Sequence, residues 1–580
     1  IHHRFVHRDG RTFLVSLGEV TFIAEIQKDG SAKNLALCGA VSSYTHGGRR
    51  ALPPPFLEAY DLAYPDPKDK ARNSASALWV DKSGDGQMQA DEFEFSKDAD
   101  SFAGAYWGHD QRDLTLRFPA VVGGKNVLVA LAPQGFYAGG APKYPDLKTA
   151  IAAAVPMDTP DVARFQPRVE TTVDGRGNMI FNTDPKMTAF SPAGKLLWTY
   201  PNKWSGVHGS HNAPLPQTGE LQGALFFTGI APLDKESDVF AMNGNHGRLF
   251  LLTSDGLYLD EMFEDVRLGR GRMESVYMMG GEAFGGFFEK SQADGKYYLQ
   301  VGGNEYRVFQ VDGLDTVQRS GGTFTVSPAQ AGAAESALKR RLAAQTAPKE
   351  ATIPMLAKPP AIDGNERDWP AEAGVKWDKN GQFPVVARFG LDAQNRYLHY
   401  TVTDDSPWLN NGTDWQLLFK TGDSIDLQLG TDPDANPRRS NPVPGDMRLL
   451  VAPFEGKEIA VLYRHRVPGT QKPVAFTSPW RTENVDEVKR LPGAKIAVLK
   501  DSNRYRVEAA IPLTELGWKP VPGHTLKADI GVIYSDKSGN ANVFRNYWSN
   551  QATALVNDVP GEIMLNPNLW GTLRIGGEGE

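Results

Sequence analysis

Cysteine is nearly absent: Cys38 is the only one in 580 residues. A single thiol excludes an internal disulfide framework, a cysteine-built zinc module and haem attachment through paired cysteines. Its apolar surroundings, Leu35-Ala36-Leu37, predict a core residue rather than a reactive thiol. No apolar run approaches the ~20 residues that a membrane-spanning helix needs. Basic clusters are missing too. With 62 Lys and Arg against 69 Asp and Glu the formal charge is −7, which argues against a nucleic-acid partner. Turn formers are in excess: 59 Gly and 40 Pro make up about 17% of the chain, where ~12% is usual. That surplus predicts many turns and therefore many short strands.

Asp-Gly pairs recur through the first 330 residues, at 9–10, 29–30, 174–175, 255–256, 294–295 and 312–313. Such a pair between alternating apolar residues is a hairpin signal, because both central turn positions need positive φ. Residues 11–17 (RTFLVSL), 249–253 (LFLLT) and 297–301 (YYLQV) have the composition of the flanking strands. Antiparallel strands in series predict a propeller, a sandwich or a barrel. Residues 333–345 are rich in helix formers, and prolines follow at 348, 354, 359 and 360. This reads as a helical linker over 331–352, the composition of a domain boundary. Beyond it eight of the twelve tryptophans occur, and strands alternate again at 385–389, 397–402, 424–429, 506–511 and 529–534. Residues 353–580 therefore predict one antiparallel β-sandwich.

The most specific local pattern runs from Asp81 to Glu92 (DKSGDGQMQADE). Oxygen-bearing side chains stand at loop positions 1, 3, 5 and 9 (Asp81, Ser83, Asp85, Gln89), and Gly86 at position 6 permits the sharp turn. Gln87 at position 7 needs only its carbonyl, and Glu92 at position 12 can chelate with both oxygens. This spacing wraps oxygens around a hard cation and predicts Ca²⁺. It looks like a single EF-hand loop, inserted at about residues 77–96 as a structural staple.

Residues 190–200 (FSPAGKLLWTY) form a strand, a Gly turn and an aromatic-anchored strand. They resemble one repeat of the pyrroloquinoline-quinone-type β-propeller family, with weaker copies at 249–260 and 306–313. The resemblance implies a propeller over residues 1–330, with Trp198 packed between neighbouring blades. His208, His211 and His246, in glycine-containing loop-like stretches, are candidates for a catalytic or metal site at the propeller axis, or else ordinary loop histidines. The mixed-charge run from Asp260 to Glu274 offers carboxylates for hydrolysis, or a self-paired surface loop.

In the C-terminal part five segments occur in order: 361–369 (AIDGNERDW), 402–408 (VTDDSPW), 420–427 (KTGDSIDL), 509–513 (AAIPL) and 566–571 (NPNLWG). Together they resemble the family-9 carbohydrate-binding module, one of the DOMON-like β-sandwiches. In that family, sugar lies between aromatic faces while polar groups hold its hydroxyls. A pyranose has an apolar C–H face that stacks on indole, and its hydroxyls need partners once desolvated. Trp408, Trp415 and Trp548 are the expected clamp, with Arg545 and Asn546 as hydroxyl partners; Trp369 and Trp570 are expected in the core. Related sandwiches hold haem b through Met and Lys, but no Met in these strands has an evident Lys partner.

The expectation is thus an all-β chain: a β-propeller with an EF-hand-like insertion, a helical linker and a carbohydrate-binding β-sandwich. A secreted or periplasmic protein that binds or processes polysaccharide follows, with Ca²⁺ bound and a glycoside hydrolase-like activity open. A quinone- or haem-dependent oxidoreductase and a non-catalytic surface-assembly protein are the rival readings.

Overall fold

The computed structural model describes residues 2–17, 20–41, 53–66, 75–102, 109–110, 113–158, 170–182, 186–202, 204, 213, 216–223, 226–244, 246–263, 265, 286–302, 306–347, 349–370, 374–379, 382–479, 481–550 and 559–577. The chain is all-β with a few short helices, and it divides into two compact units whose main boundary lies between Gly322 and Thr323.

Among the described residues, five consecutive sheets make up the first unit. The first, in simple meander order, runs His2–Arg8, Arg11–Leu17, Val20–Ile26, Ala32–Ala40, Ser76–Val80 and Phe93–Ser96. Its opening hairpin turns at Asp9 and Gly10, with φ of 52° and 72°, the paired positive values that the Asp-Gly signal requires. The second sheet is built on Leu116–Val122 and Lys125–Leu131, the third on Glu170–Val173, Met179–Asn182, Lys186–Phe190 and Leu196–Pro201. Phe226–Pro232, Asp238–Asn243, Leu249–Thr253 and Tyr258–Met262 form the fourth; Gly286–Lys290, Tyr297–Gly302 and Tyr306–Val311 form the fifth.

Neighbouring sheets share cores. Ile23 and Cys38 of the first pack with Phe118 and Val129 of the second, so Cys38 is buried as its surroundings foretold, and burial pushes its thiol far up. Leu128 of the second packs with Phe181 of the third, and Ile180 of the third with Phe227 of the fourth. Trp198 donates its indole N–H to Ser254 O (2.9 Å), and a Cβ on Gly256 would meet its ring at 2.8 Å. It therefore locks the third sheet against the Asp255-Gly256 turn of the fourth. The strand Gly286–Lys290 lies against Phe226–Pro232 and also against His2–Arg8, while Arg4 donates to Ile230 O at 3.4 Å.

The second unit opens with the exposed helix Pro328–Thr346, longer than the sequence signal suggested because Ser327 and Gln330 cap it reciprocally. Two sheets then face each other across one core. One has five strands: Gly374–Lys379, Gln382–Leu391, Asn395–Thr403, Arg504–Pro512 and Lys495–Asp501. The other has eight, centred on Thr525–Ser535, Ser424–Gly430, Asp446–Phe454 and Lys457–Arg464. Val385, Phe389 and Leu398 from the first meet Ile425, Leu449 and Ile530 from the second. Both faces of the central strands are buried, because a second apolar layer covers the outer face of the larger sheet.

Candidate functional site

Period two sends Ile425, Leu427, Leu449 and Val451 inward and leaves Asp426 and Arg448 on the outer face of the eight-stranded sheet. An exposed polar face is the ordinary outcome, but here both side chains are fully buried. Leu418 and Phe419, the hairpin Val474–Thr477/Thr482–Val485 and the helix Val559–Ile563 roof them over. Arg448 grips Asp426 through Nε (3.0 Å) and Nη2 (2.7 Å) and donates to Glu562 O (2.9 Å). The Tyr547 hydroxyl also donates to Asp426. Glu562, on the roof, accepts from Arg545 (2.6 Å), Lys420 (2.6 Å) and Asn542 (2.9 Å). Burial raises its carboxyl, but Arg545 and then Lys420 outweigh that and hold it below the usual range. Burial pulls His465 down to about 4, so it is neutral at neutral pH, with Nε2 2.9 Å from Ile563 O. Three cations and two carboxylates thus converge, and they tie the roof to the sheet.

The expected aromatic clamp divides at this roof. Trp415, at the start of the short helical turn Trp415–Leu417, is half-buried against the outer layer, and the Arg490 guanidinium lies 5.1 Å from its ring centre. Trp408 and Trp548 are only 1% and 4% exposed and belong to the core between the sheets, so neither offers an open face to a sugar. The Trp408 indole donates to Glu458 (2.8 Å) and its ring packs 5.0 Å from that of Tyr505. Arg545 is committed to Glu562 and the Phe419 carbonyl, and the buried Asn546 donates to Phe383 O (3.0 Å). These four assignments are corrected: each side chain is already used inside the fold. Trp369 and Trp570 are core residues, with indole N–H groups on Glu508 (2.7 Å) and Gln428 (2.9 Å). The outer-face network of Asp426, Arg448, Tyr547 and Glu562 escaped the sequence reading. Its one signal was alternation, with polar Asp426 and Arg448 at diagonal positions of adjacent strands, opposite Leu450 and Gln428.

In the first unit, Asp81 is fully buried and accepts the N–H groups of Gly84 (2.9 Å) and Gly86 (3.1 Å). Gly86 has φ of 74°, which folds the chain sharply at position 6. Glu92 returns beneath the turn, accepting from Ser83 N (2.8 Å) and from the Trp79 indole (3.0 Å). Asp85 accepts from Gln87 N (2.8 Å) and Gln89 Nε2 (2.7 Å), and Lys33 Nζ stands 3.7 Å from Asp81. The loop is therefore closed by its own donors. Among the described residues, no three His, Cys, Asp or Glu side chains are gathered around a point where an ion would sit.

His246 lies inside the tight turn between Asp238–Asn243 and Leu249–Thr253, with φ of 67° and 1% exposure. His208 and His211 lie outside the described residues, as does most of the acidic-basic run after Asp265. Glu261 of that run pairs with Arg248 and accepts from Tyr258 at 3.2 Å.

No family model and no curated protein matches the chain. Among solved structures, a family-9 carbohydrate-binding module from Caldicellulosiruptor kristjanssonii in complex with cellotriose is similar at 17% identity. The match covers 40% of this chain and 96% of that one, with a TM-score of 0.25. A putative carbohydrate-binding protein from Bacteroides uniformis is similar at 13% identity over 40% of this chain and all of that one, with a TM-score of 0.23. An exo-1,5-alpha-L-arabinanase from a bovine ruminal metagenomic library is similar at 9% identity, over 53% of this chain and 92% of that one, with a TM-score of 0.22.

Proposed function

We propose that the chain is an extracytoplasmic, secreted or periplasmic protein that binds or processes polysaccharide, with its second unit acting as the carbohydrate-binding module. The observation that carries this reading is Trp415. Of the three aromatic side chains expected to hold sugar, it alone is not fully buried, with the exposed guanidinium of Arg490 over its ring. Indole supplies the stacking face, and the flanking Asp414 and Gln416 side chains supply hydroxyl partners at the rim. The motif order of residues 361–571, resembling the family-9 module, supports the same assignment.

The first unit is read as a five-bladed propeller. Its support is the serial contact of five sheets, antiparallel but for one two-residue parallel pairing in the third, each packed on the next, with the strand His2–Arg8 against the fifth. The donor set of the Asp81–Glu92 loop fits calcium: carboxylates from Asp81, Asp85 and Glu92, side-chain oxygens from Ser83 and Gln89, and the Gln87 carbonyl. A bound ion would replace the loop's internal donors and gather its three carboxylates around one charge.

A glycan array probed with the whole chain tests the binding reading. Binding to at least one glycan, lost on Trp415→Ala with the circular dichroism spectrum unchanged, is expected. An array without a single hit overturns it.

A further inference from the structure

A cleft of about 400 Å³ opens in the first unit, between the hairpin of residues 2–17 and the loop after Lys125–Leu131. Phe136 and Tyr137 form one wall; Arg8, Arg11 and Glu25 form the other. The loop braces itself through Gln134 N to Lys143 O (2.8 Å) and Tyr137 N to Ala141 O (2.8 Å), so the aromatic wall is preformed. Arg11 is fixed as well. It holds Glu25 through Nε and Nη2 (both 2.7 Å), donates to Gly140 O (2.7 Å), and lies 4.6 and 5.1 Å from the ring centres of Phe13 and Phe136. Its hydrogen bond is the largest influence on Glu25 and holds that carboxyl below the usual range, so this pair is rigid and neutral overall.

The remaining lining charges are Arg8 and Asp9, and Lys143, outside the lining but beside Tyr137, adds one surplus positive charge. Arg8 stands 5.6 Å from the Phe136 ring centre, and its one ion pair among the described residues is a 3.4 Å contact with the well-exposed Asp9. Lys143 stands 5.0 Å from the Tyr137 ring centre with no carboxylate partner among the described residues. Exposed pairs such as Arg8–Asp9 hold their partners weakly, so Arg8 can turn to a ligand. A preformed aromatic wall bordered by two available cations suits a ring with an apolar C–H face and a carboxylate.

We propose that this cleft binds a hexuronate residue of an acidic polysaccharide, its sugar face on Phe136 and Tyr137 and its carboxylate between Arg8 and Lys143. The choice of a saccharide rests on the polysaccharide reading above; the cleft and its charge do not.

The test is titration calorimetry on the whole chain with tri-galacturonate and tri-glucuronate, beside neutral cello- and xylo-trisaccharides. Binding of at least one uronate, about tenfold weaker in the Arg8→Gln/Lys143→Gln variant and weakened by raising salt from 50 to 300 mM, is expected. Both substituted side chains are on the surface, so the fold is kept, and an unchanged melting temperature checks this. Trp415→Ala should leave uronate binding intact. Absence of uronate binding overturns the proposal whatever the neutral sugars do. Equal affinity in the double variant, or loss on Trp415→Ala, overturns it too. Failure of the neutral sugars alone bears only on the sandwich.

Discussion

At the scale of single residues, polarity along the chain is a poor guide to exposure in the second unit. Trp408 stands among Asp404, Asp405, Asn410 and Asn411, and this setting reads as a surface loop. Asp404 and Asn410 are nevertheless buried parts of the interior, while Asp405 and Asn411 stay exposed. Asp423 accepts from Leu409 N and Ser535 N (both 2.6 Å), and Asn410 donates to Leu418 O (2.9 Å), so the loop is folded inward and carries the indole with it. Trp408 even takes a φ of 59°, rare for a bulky residue and held here by its bond to Glu458. Trp408→Ala should lower the unfolding free energy by about 3–5 kcal/mol in urea titrations, the cost of emptying a buried aromatic site. Trp415→Ala should cost clearly less. Asp529 makes a second claim at this scale. Burial raises its carboxyl to about 7, against the pull of N–H bonds from Ser549, Asn550 and Ile530. The folded state therefore holds a proton that the unfolded state has released above its ordinary pKa near 3.8. Stability from this group is present at low pH and is lost as pH rises from about 4 to about 7. The urea midpoint of the second unit should fall across that window, and Asp529→Asn should flatten the fall. An equal slope in the variant would contradict the assignment.

Elements tell a more even story. Period-two strands and Asp-Gly turns were legible because both depend on local geometry: Asp9-Gly10 takes the paired positive φ values its position demands. The second layer over the eight-stranded sheet was not legible, since it comes from segments distant in sequence, at 418–419, 474–485 and 559–563. Asp426 and Arg448 consequently read as a solvated face although they are sealed. The Asp81–Glu92 loop lies between these cases. Its turn at Gly86 and the return of Glu92 follow from spacing, whereas the role of Lys33 beside Asp81 depends on a strand some fifty residues away. Glu92 joins the Trp79 indole to the loop, so an ion drawn to its carboxylate should alter Trp79 fluorescence. Millimolar calcium should raise the melting temperature of the first unit by several degrees. Glu92→Gln should remove most of that rise while changing the value in chelator little. A calcium response of equal size in the variant would sink the site.

For the whole molecule, the composition changes near residue 328, where the helix Pro328–Thr346 of the second unit begins. Most of the described helix is exposed, and it has little apolar periodicity. Function was less legible than architecture. A binding site depends on which side chains stay open after packing, and packing claimed four of the five residues expected to hold sugar, leaving Trp415. Sugar binding by the second unit therefore depends most on that one indole. Its most direct test is titration calorimetry of the whole chain and of Trp415→Ala with the tightest neutral glycan found on an array. The account predicts saturable binding by the native chain and at least a tenfold loss in the variant, with the melting temperature nearly unchanged. Undiminished affinity in a folded Trp415→Ala protein would contradict it.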